Sequence, residues 1–386
     1  MENTMELIII QSQEHETLPH AELKAVMECE NVKGDTYIPT KGLTIIKNLN
    51  KECFDENYKI LNKRLAYAHE INEIIFKKEF KNSKDLNEYL KIKDNEGQKN
   101  KQNKPLNDLY DEFKKIDLKS YLKESFAIRI KKYDKINLDT LKIEKKLGAI
   151  IKNNYPNVKV KLENPKTFIR IIITEKSIYI GYMKYKLNKK HFQEMKPHKR
   201  PFFYPGSMNP KLARAMVNLS KIKEGETLLD PFCGTGGILI EGGMIGAKLI
   251  GSDISWKMKN GTGINLNHCG FSHWTTHHLD VRELKLYDKV DAVVTDPPYG
   301  ISTSTGGEKS EIIFKEFLDS ISKNMKKNAL LCMASPHYLN LDEILKDLDF
   351  KLIDRHEIKM HKSLTRIISV IVKIESENRI ENENKI

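Results

Sequence analysis

The sequence lacks the features of a membrane protein and of a disulfide-stabilised protein. Its five cysteines are scattered over 386 residues, and no CxxC pair occurs among them. Neither a disulfide framework nor a zinc site is therefore predicted, and a reducing compartment is expected. No stretch approaches the ~18 consecutive apolar residues of a membrane-spanning helix, and the N-terminus has no apolar signal core. We expect a cytoplasmic protein that binds neither a metal nor a membrane.

Acidic residues are scarce in one segment of the chain. The whole sequence has 65 lysines and arginines against 53 aspartates and glutamates, a net charge of +12. Residues 121–200 alone contain 21 basic and 7 acidic residues, a balance of +14, so the remaining residues sum to −2. This concentration of positive charge indicates a polyanionic partner, most simply nucleic acid. The alternative is a solvated helix face in a lysine-rich chain.

Hydrophobic periodicity predicts a small ferredoxin-like α+β domain over residues 1–78. Met5–Gln11 is typical of a strand and His20–Cys29 of a helix, while the apolar residues of 63–76 recur at helical spacing. The lysine- and asparagine-rich residues 79–119 are predicted to form a charged linker, because they have few aromatic residues and no periodicity.

The rest of the chain is predicted to contain a second α+β unit and a larger α/β domain. In residues 120–190, "NVKVKLENP" before the return strand "FIRIIIT" resembles the THUMP domain of RNA-modifying enzymes. Residues 191–224 are predicted to form a crossing between domains and the first helix of the last one. Over residues 225–375 strands and helices alternate, which is typical of an α/β fold with a mainly parallel sheet. Residues 376–386 are a polar tail.

The strongest functional signal is a series of predicted strands that end on carboxylates. In "ETLLDPFCGTGG" a strand ends on Asp230 and a glycine-rich turn opens a helix, and about twenty residues later a second strand ends on Asp253. The next two strands end on Asp280 and Asp296. Because the carboxyl ends of parallel strands meet at one edge of a sheet, we expect these acids to lie together at a ligand site. Crowded carboxylates repel a pyrophosphate and suit a cationic, amine-bearing nucleoside.

The motif "DPFCGTGG", with the later acids and "TDPPYG", resembles the class I S-adenosylmethionine-dependent N-methyltransferases, which have a Rossmann-like fold. The resemblance implies S-adenosylmethionine as cofactor, with Asp230 and the glycine turn at its methionine end, Asp253 at the ribose and Asp280 at the adenine amino group. The residues it implies for cofactor binding are Asp230, Phe232, Cys233, Gly234, Thr235, Gly236, Asp253, Ile254, Asp280 and Val281. The alternative is a Rossmann-like fold that binds NAD or no ligand.

The stretch "TDPPYG" predicts a rigid platform at a strand end, because prolines donate no amide hydrogen and hold the preceding residue extended. An exocyclic amine conjugated to a ring is a poor nucleophile until two acceptors take its hydrogens and localise its lone pair. We predict Asp296 and the carbonyl of Pro297 as these acceptors, and Tyr299 as the face on which a flipped base stacks. The alternative is a rigid turn with no catalytic role.

Three stretches resemble the archaeal tRNA guanine-N2 methyltransferases that act on guanosine 10: "RPFFYPGSMNPKLARAMVNLS", "TDPPYGIST" and "HKSLTRIISV". Together with the THUMP-like region, this resemblance implies tRNA as the partner and transfer of one or two methyl groups to the N2 amine. Methylation of guanosine at position 6 and adenine-N6 methylation of DNA stay open as alternatives. A monomer and a complex with a small accessory protein are both compatible with the sequence.

The same stretches contain the candidate substrate-binding residues. These are Arg200, Phe203, Tyr204, His361 and Arg366. We expect Arg366 to reach the phosphate backbone of the RNA, and the first three to line the opening through which the base reaches its pocket. The alternatives are packing beneath the sheet for the first three and a hairpin rim for the last two.

Overall fold

The computed structural model describes residues 4–52, 54–90, 107–134, 136–298, 310–361 and 364–374. It divides into two compact units, each assembled from three separate stretches of the chain. The first unit contains Met1–Gln11, Gly34–Phe54 and Ala68–Leu187, and the second contains Ser12–Lys33, Asp55–Tyr67 and Asn188–Ile386. The backbone therefore passes five times from one unit to the other.

Strands and helices occur in both units. The strands are β1 (Thr4–Gln11), β2 (Asp35–Thr40), β3 (Leu43–Asn50), β4 (Ala68–Glu79), β5 (Ser125–Lys132), β6 (Lys159–Val160), β7 (Thr167–Ile173), β8 (Ser177–Lys186), β9 (Thr227–Asp230), β10 (Lys248–Asp253), β11 (Trp274–His278), β12 (Val290–Thr295), β13 (Met325–Pro336), β14 (Phe350–His361) and β15 (Leu364–Lys373). The α-helices are α1 (Leu18–Cys29), α2 (Phe54–Arg64), α3 (Ser83–Tyr89), α4 (Asn107–Lys115), α5 (Thr140–Asn154), α6 (Lys190–Glu194), α7 (Pro210–Leu219), α8 (Gly237–Met244), α9 (Trp256–His268), α10 (Ser310–Asn324) and α11 (Leu341–Leu345).

The first unit is built on an eight-stranded sheet with the strand order β2-β3-β1-β4-β8-β7-β5-β6. The antiparallel pair of β4 and β8 joins the N-terminal strands to those of the THUMP-like region in one continuous sheet. Leu86 of α3, Phe113 of α4 and Leu147 of α5 are buried in one cluster with Phe126 and Ile171 of the sheet. Burial of such apolar side chains is the main force that holds helices on a sheet.

The second unit is built on a seven-stranded sheet with the strand order β11-β10-β9-β12-β13-β15-β14. The strands from β11 to β13 are parallel, and β15 is antiparallel to both of its neighbours. The sequence "VDAVVT" of β12 is rich in β-branched residues and largely buried, as expected of a strand covered on both faces. The predicted α/β domain with a mainly parallel sheet is therefore confirmed.

Two N-terminal helices, α1 and α2, belong to this second unit. Leu18 of α1 and Met216 of α7 lie in the same buried cluster. At the end of α2 the guanidinium of Arg64 is 3% exposed, and it donates to the Asn218 Oδ1 at 3.2 Å and to the carbonyl of Ile222 at 2.9 Å. The fully buried Glu22 of α1 accepts hydrogen bonds from the backbone just after α2. These helices are therefore integral to the unit that carries the parallel sheet.

The chain passes between the compact units at Leu187 and Asn188, close to the predicted boundary at residue 190, but no passage lies at the predicted boundaries at residues 78 and 119. The residues predicted as an N-terminal domain are shared between the two units. The predicted charged linker contains α3 and α4, while residues 91–106 lie outside the described part of the chain, as does the polar tail.

One predicted helix is wrong. The apolar spacing over residues 63–76 suggested a helix, but α2 ends at Arg64 and β4 begins at Ala68. Ile71 of β4 is fully buried, and β4 pairs with β1 on one side and with β8 on the other. Burial within the sheet outweighed the local period of the sequence.

No helix within the described ranges is long and apolar enough to cross a membrane.

Candidate active site

Three carboxylates lie at one edge of the seven-stranded sheet. Asp230 ends β9, Asp253 ends β10 and Asp296 follows the last residue of β12. Because β9 lies between β10 and β12, the three acids belong to neighbouring strands. Two of them, Asp230 and Asp296, line one cleft together with the glycine-rich turn. Among the described residues, the cleft is lined by Tyr204, Pro205, Gly206, Ser207, Met208, Asp230, Phe232, Cys233, Gly234, Thr235, Ile238, Met258 and Asp296.

Asp230 is the most buried of the three acids, with 1% of its surface exposed. Burial raises its pKa to about 7, and the negative charges of Asp253 and Asp296 act in the same direction. Its Oδ1 accepts hydrogen bonds from the Thr295 hydroxyl at 2.7 Å and from the Phe232 amide at 3.2 Å. The carboxyl group therefore exchanges its proton near neutral pH, where a cationic ligand favours the charged form.

The turn after β9 depends on glycine at two positions. Gly234 has φ 51° and Gly236 has φ 78°, in the left-handed region that glycine adopts without strain. A Cβ at position 236 would also lie 3.0 Å from the Thr262 Cγ2. The Thr262 hydroxyl donates to the carbonyl of Gly234 at 2.8 Å, and the Asn265 side-chain amide donates to that of Thr235 at 2.8 Å. Two side chains of α9 thus hold the backbone that faces the cleft.

Asp253 is held by the same turn. Its Oδ2 accepts from the Gly234 amide at 2.9 Å and its Oδ1 from the Ser255 amide at 2.8 Å. Burial raises the pKa of this carboxyl, while the two amides oppose the shift. The next residue, Ile254, is 66% exposed although it is apolar. An exposed apolar side chain beside a fixed carboxylate suits a ligand with both hydroxyls and an apolar face.

Asp280 is held differently from the other acids. It caps the short 3-10 turn of Val281–Glu283, and its carboxylate pairs with the guanidinium of Arg282 at 2.7 Å. The hydrogen bond from Arg282 lowers the pKa of Asp280. Val281 is buried. Arg282 therefore engages the carboxylate that was expected to bind an adenine amino group.

Asp296, Pro297 and Pro298 of the predicted platform are described, whereas Tyr299 lies outside the described residues. The Asp296 Oδ2 is 3.3 Å from the Nη1 of Arg366. Arg366 was predicted to reach RNA phosphate, and the structure instead places it beside the predicted catalytic acid with 10% of its side chain exposed.

The other predicted substrate residues separate into exposed and buried positions. Phe203 is 48% and Tyr204 is 42% exposed, and Tyr204 lines the cleft with the Lys257 Nζ 5.7 Å from its ring. Arg200 is 6% exposed and its Nε donates to the carbonyl of Met195, which favours the packing alternative for this residue. His361 ends β14, and its side chain lies outside the described residues.

Sequence reasoning missed several polar residues that shape the cleft. Thr295 is bonded to Asp230, Thr262 and Asn265 hold the glycine turn, and the Ser207 Oγ lies 3.1 Å from the Thr235 Oγ1. Thr295 had a signal, because a polar residue interrupts an apolar strand directly before Asp296. The other contacts depend on how α9 and the segment before α7 pack.

In the described ranges no group of three or more histidine, cysteine, aspartate or glutamate side chains is placed to bind a metal.

Two family profiles match the chain. The THUMP domain matches residues 103–182, and the RMKL-like methyltransferase domain matches residues 197–368. The first match lies within the first compact unit and the second within the second unit. The methyltransferase match includes the cleft and Arg366.

Two curated proteins are similar along almost their whole length. The tRNA (guanine(10)-N2)-dimethyltransferase of Methanothermobacter thermautotrophicus is 44% identical over 370 residues, which is 96% of this chain and 100% of that protein. The protein of the same name from Methanocaldococcus jannaschii is 37% identical over 380 residues, 94% of this chain and 98% of that protein.

A solved structure shares the fold. TrmN from Thermus thermophilus has a TM-score of 0.55 and 17% identity over 96% of this chain and 100% of that chain. At this identity the likeness concerns the fold alone. With the two domain matches, it confirms the predicted combination of a Rossmann-like methyltransferase domain and an N-terminal region with a THUMP domain.

Proposed function

This chain belongs to the family of the archaeal tRNA (guanine(10)-N2)-dimethyltransferases, and we propose that it catalyses the reaction for which these relatives are named. It transfers methyl groups from S-adenosylmethionine to the exocyclic N2 amine of a tRNA guanosine, and its target is position 10. The observation that carries the proposal is a cleft lined by Asp230, by the glycine-rich turn and by Asp296, the first residue of the Asp-Pro-Pro segment. The Gly234 amide of that turn also holds Asp253, which ends the neighbouring strand.

The residues of the cleft suit S-adenosylmethionine. The charged residues among its described lining are the carboxylates Asp230 and Asp296, which fits a nucleoside that carries positive charge better than a pyrophosphate. Asp230 and the glycine turn are proposed to hold the methionine end, Asp253 the ribose hydroxyls, and Asp280 with Ile254 the adenine. When bound, the cofactor supplies an electrophilic methyl group on a positively charged sulfur.

Asp296 and Pro297 are proposed to prepare the amine for attack. The carboxylate of Asp296 and the carbonyl of Pro297 accept the two amine hydrogens, so the nitrogen lone pair is no longer delocalised into the base. Because the strand end and two prolines fix both acceptors, no reorganisation is needed as charge develops on the nitrogen. Tyr299 is proposed to stack on the base, and exposed Phe203 and Tyr204 to guide it.

The first unit is proposed to dock tRNA. It contains the THUMP match and most of the segment whose charge balance is +14. Folded RNA is recognised mainly by its shape and backbone, for which a lysine-rich surface is suited. We propose that this unit sets which guanosine reaches the cleft.

The test is to incubate the full chain with labelled S-adenosylmethionine and an unmodified tRNA transcript, and to identify the methylated nucleoside and its position. We expect N2-methylguanosine at position 10 first and N2,N2-dimethylguanosine later in the time course. A transcript with adenosine at position 10 is the matched control and should stay unlabelled. Label at position 6, or only on duplex DNA, would contradict the proposed substrate.

A further inference from the structure

Arg366 is brought to the active-site edge by the reversal of strand direction next to β13. It is the third residue of β15, and its register partners are Pro336 at the end of β13 and Ile358 on β14. Because β15 is antiparallel to β13, the start of β15 lies at the edge where the parallel strands end. That edge carries Asp230, Asp253 and Asp296.

The contact between Arg366 and Asp296 is shielded from solvent. The Nη1 to Oδ2 distance is 3.3 Å, and the side chains of the arginine and the aspartate are 10% and 20% exposed. Charges in such a site are screened little by water or salt, so the guanidinium strongly favours the ionised carboxylate. An arginine so deeply set has little surface to offer to a phosphate backbone.

The surroundings of Asp296 explain why a cation is needed there. Asp230 on β9 and Asp253 on β10 are the acidic groups on the neighbouring strands. Burial is the main cause of the raised pKa of Asp230, and the charges of Asp253 and Asp296 add to it. Tyr204 and Cys233, which line the same cleft, are neutral in their usual protonation states. Arg366 thus sets a positive charge against Asp296. Without it, the crowded acids would favour a proton on Asp296, and a protonated carboxyl is a poor acceptor for an amine hydrogen.

We propose that Arg366 is a positioning residue for methyl transfer, holding the carboxylate of Asp296 ionised and fixed in orientation so that it can accept a hydrogen of the target amine. This inference rests on the proposed function. It replaces the expected contact between Arg366 and RNA with a role that is exerted through Asp296.

The first test compares Arg366→Gln and Arg366→Lys with the control Arg355→Gln. Arg355 lies on neighbouring β14 in an exposed ion pair with Asp342, so its replacement should leave activity unchanged. For Arg366→Gln we expect kcat at pH 7 to fall about 30-fold or more, with KM for tRNA within about twofold. The acid limb of the kcat profile should move to higher pH, and Arg366→Lys should restore part of the activity. A raised KM with unchanged kcat would show RNA binding and overturn the proposal.

A double-mutant cycle shows whether the effect passes through Asp296. If it does, adding Arg366→Gln to Asp296→Asn should lower kcat no further, because the carboxylate on which the arginine acts is already gone. If the two reductions in kcat multiply, the arginine acts elsewhere and the proposal is wrong. A general loss of stability caused by Arg366→Gln would lower kcat in the Asp296→Asn background as well as in the wild type. It therefore does not imitate the expected result.

A final measurement needs no RNA and no turnover. The protein is labelled with ¹³C at the aspartate carboxyls, and the Asp296 signal is identified as the one missing from Asp296→Asn. In Arg366→Gln this signal should titrate at higher pH than in the wild type and in Arg355→Gln. An unchanged titration overturns the inference, whereas absent tRNA methylation with a shifted titration overturns only the proposed function. If thermal denaturation shows that Arg366→Gln does not fold, the same titration is recorded on Arg366→Lys. Its Asp296 carboxyl signal should then differ from that of the wild type.

Discussion

The carboxyl group of Asp230 has a pKa near 7 because burial disfavours its charge, and neighbouring acids add to this. The folded protein therefore holds a proton that the unfolded chain releases near pH 4. By linkage, the stability that this proton gives is complete below pH 4 and is lost as the pH rises toward 7. A cation bound beside Asp230 favours the ionised carboxylate over the protonated form that burial favours. The cleft is thus built to be most stable when positive charge occupies it.

Cofactor affinity should consequently depend on pH. If Asp230 is ionised in the complex, binding below pH 7 must release its proton, so affinity should fall about tenfold for each pH unit below 7 and level off above pH 8. Calorimetry of S-adenosylmethionine binding in two buffers of different ionisation enthalpy would measure this proton release. Asp230→Asn should bind more weakly and without this dependence. Equal affinities of the wild type at pH 6 and pH 8 would contradict the assignment.

Replacing the predicted catalytic acid should separate turnover from binding. Asp296→Asn removes the negative acceptor but keeps the size of the side chain, so we expect kcat to fall about 100-fold or more. Affinity for S-adenosylmethionine should stay within about threefold, as measured by calorimetry at pH 8. Asn267→Asp, on the far part of α9, is a charge-changing control that should leave kcat nearly unchanged. A large loss of cofactor affinity in Asp296→Asn would assign this acid to the cofactor site instead.

For single residues, the sequence predicted where the acidic side chains lie in the fold better than it predicted which side chains contact them. Asp230, Asp253 and Asp296 were expected at one edge because strand ends of a parallel sheet share it. The engagement of Asp280 by Arg282 was not expected, because it depends on a side-chain direction within a short turn. The position of Arg366 beside Asp296 depends on the antiparallel register of β15, which an amphipathic pattern does not reveal.

Among the elements, α1 and α2 are fixed to the second unit by a few buried polar groups. Arg64→Ala should lower the free energy of unfolding by about 3 kcal/mol, because it leaves buried acceptors and the nearby Glu30 without their donor. Lys63→Ala is the matched control. Its exposed ion pair with Glu224 predicts a change below about 0.5 kcal/mol. Urea unfolding of the full chain measures both, and equal effects would mean that the buried contacts contribute little.

The elements also show where periodicity fails as a guide. Over residues 63–76 the apolar spacing matched a helix, yet most of that stretch lies in the central strand β4. Its pairing partners, β1 and β8, are distant from it in the chain on either side, so no local window contains the hydrogen bonds that decide its conformation. By contrast, the helix predicted within residues 191–224 is present as α7, and its start has a local cause, because the Asn209 side chain caps it and Pro210 is its first residue.

For the whole molecule, the uneven distribution of charge should appear in RNA binding. Lys159 and Lys161 are exposed in the basic segment, and a double substitution to glutamine should raise KM for tRNA several-fold. The slope of log affinity against log salt concentration should also become shallower, by about one for each phosphate that the variant no longer neutralises. Lys323→Gln with Lys346→Gln, two exposed lysines of the second unit, gives the same change in net charge and should have little effect. Equal effects of the two pairs would assign the RNA interaction to net charge alone.

The domain boundaries could not have been predicted from composition, because neither unit is continuous in the chain. The strand predicted at Met5–Gln11 is β1 of the first unit, but α1, which lies between β1 and β2 in the sequence, and α2, which lies between β3 and β4, belong to the other unit. A fragment that begins after residue 190 would lack these helices and expose the apolar residues that they cover. Point substitutions in the full chain are therefore a better test than truncation of the proposal that the first unit binds tRNA and the second carries the active site.

The five passages of the backbone between units also constrain how the protein is made on the ribosome. Residues 12–33, which include α1, are among the first to be synthesised, whereas the packing partner of α1, α7, begins at Pro210. The apolar face of α1 therefore stays uncovered while residues 34–209 are synthesised. The eight-stranded sheet, complete at Lys186, can close first. Nascent chains of this protein should therefore depend on a holding chaperone during the first half of translation, and a rare-codon pause before residue 210 should lower the yield of folded enzyme.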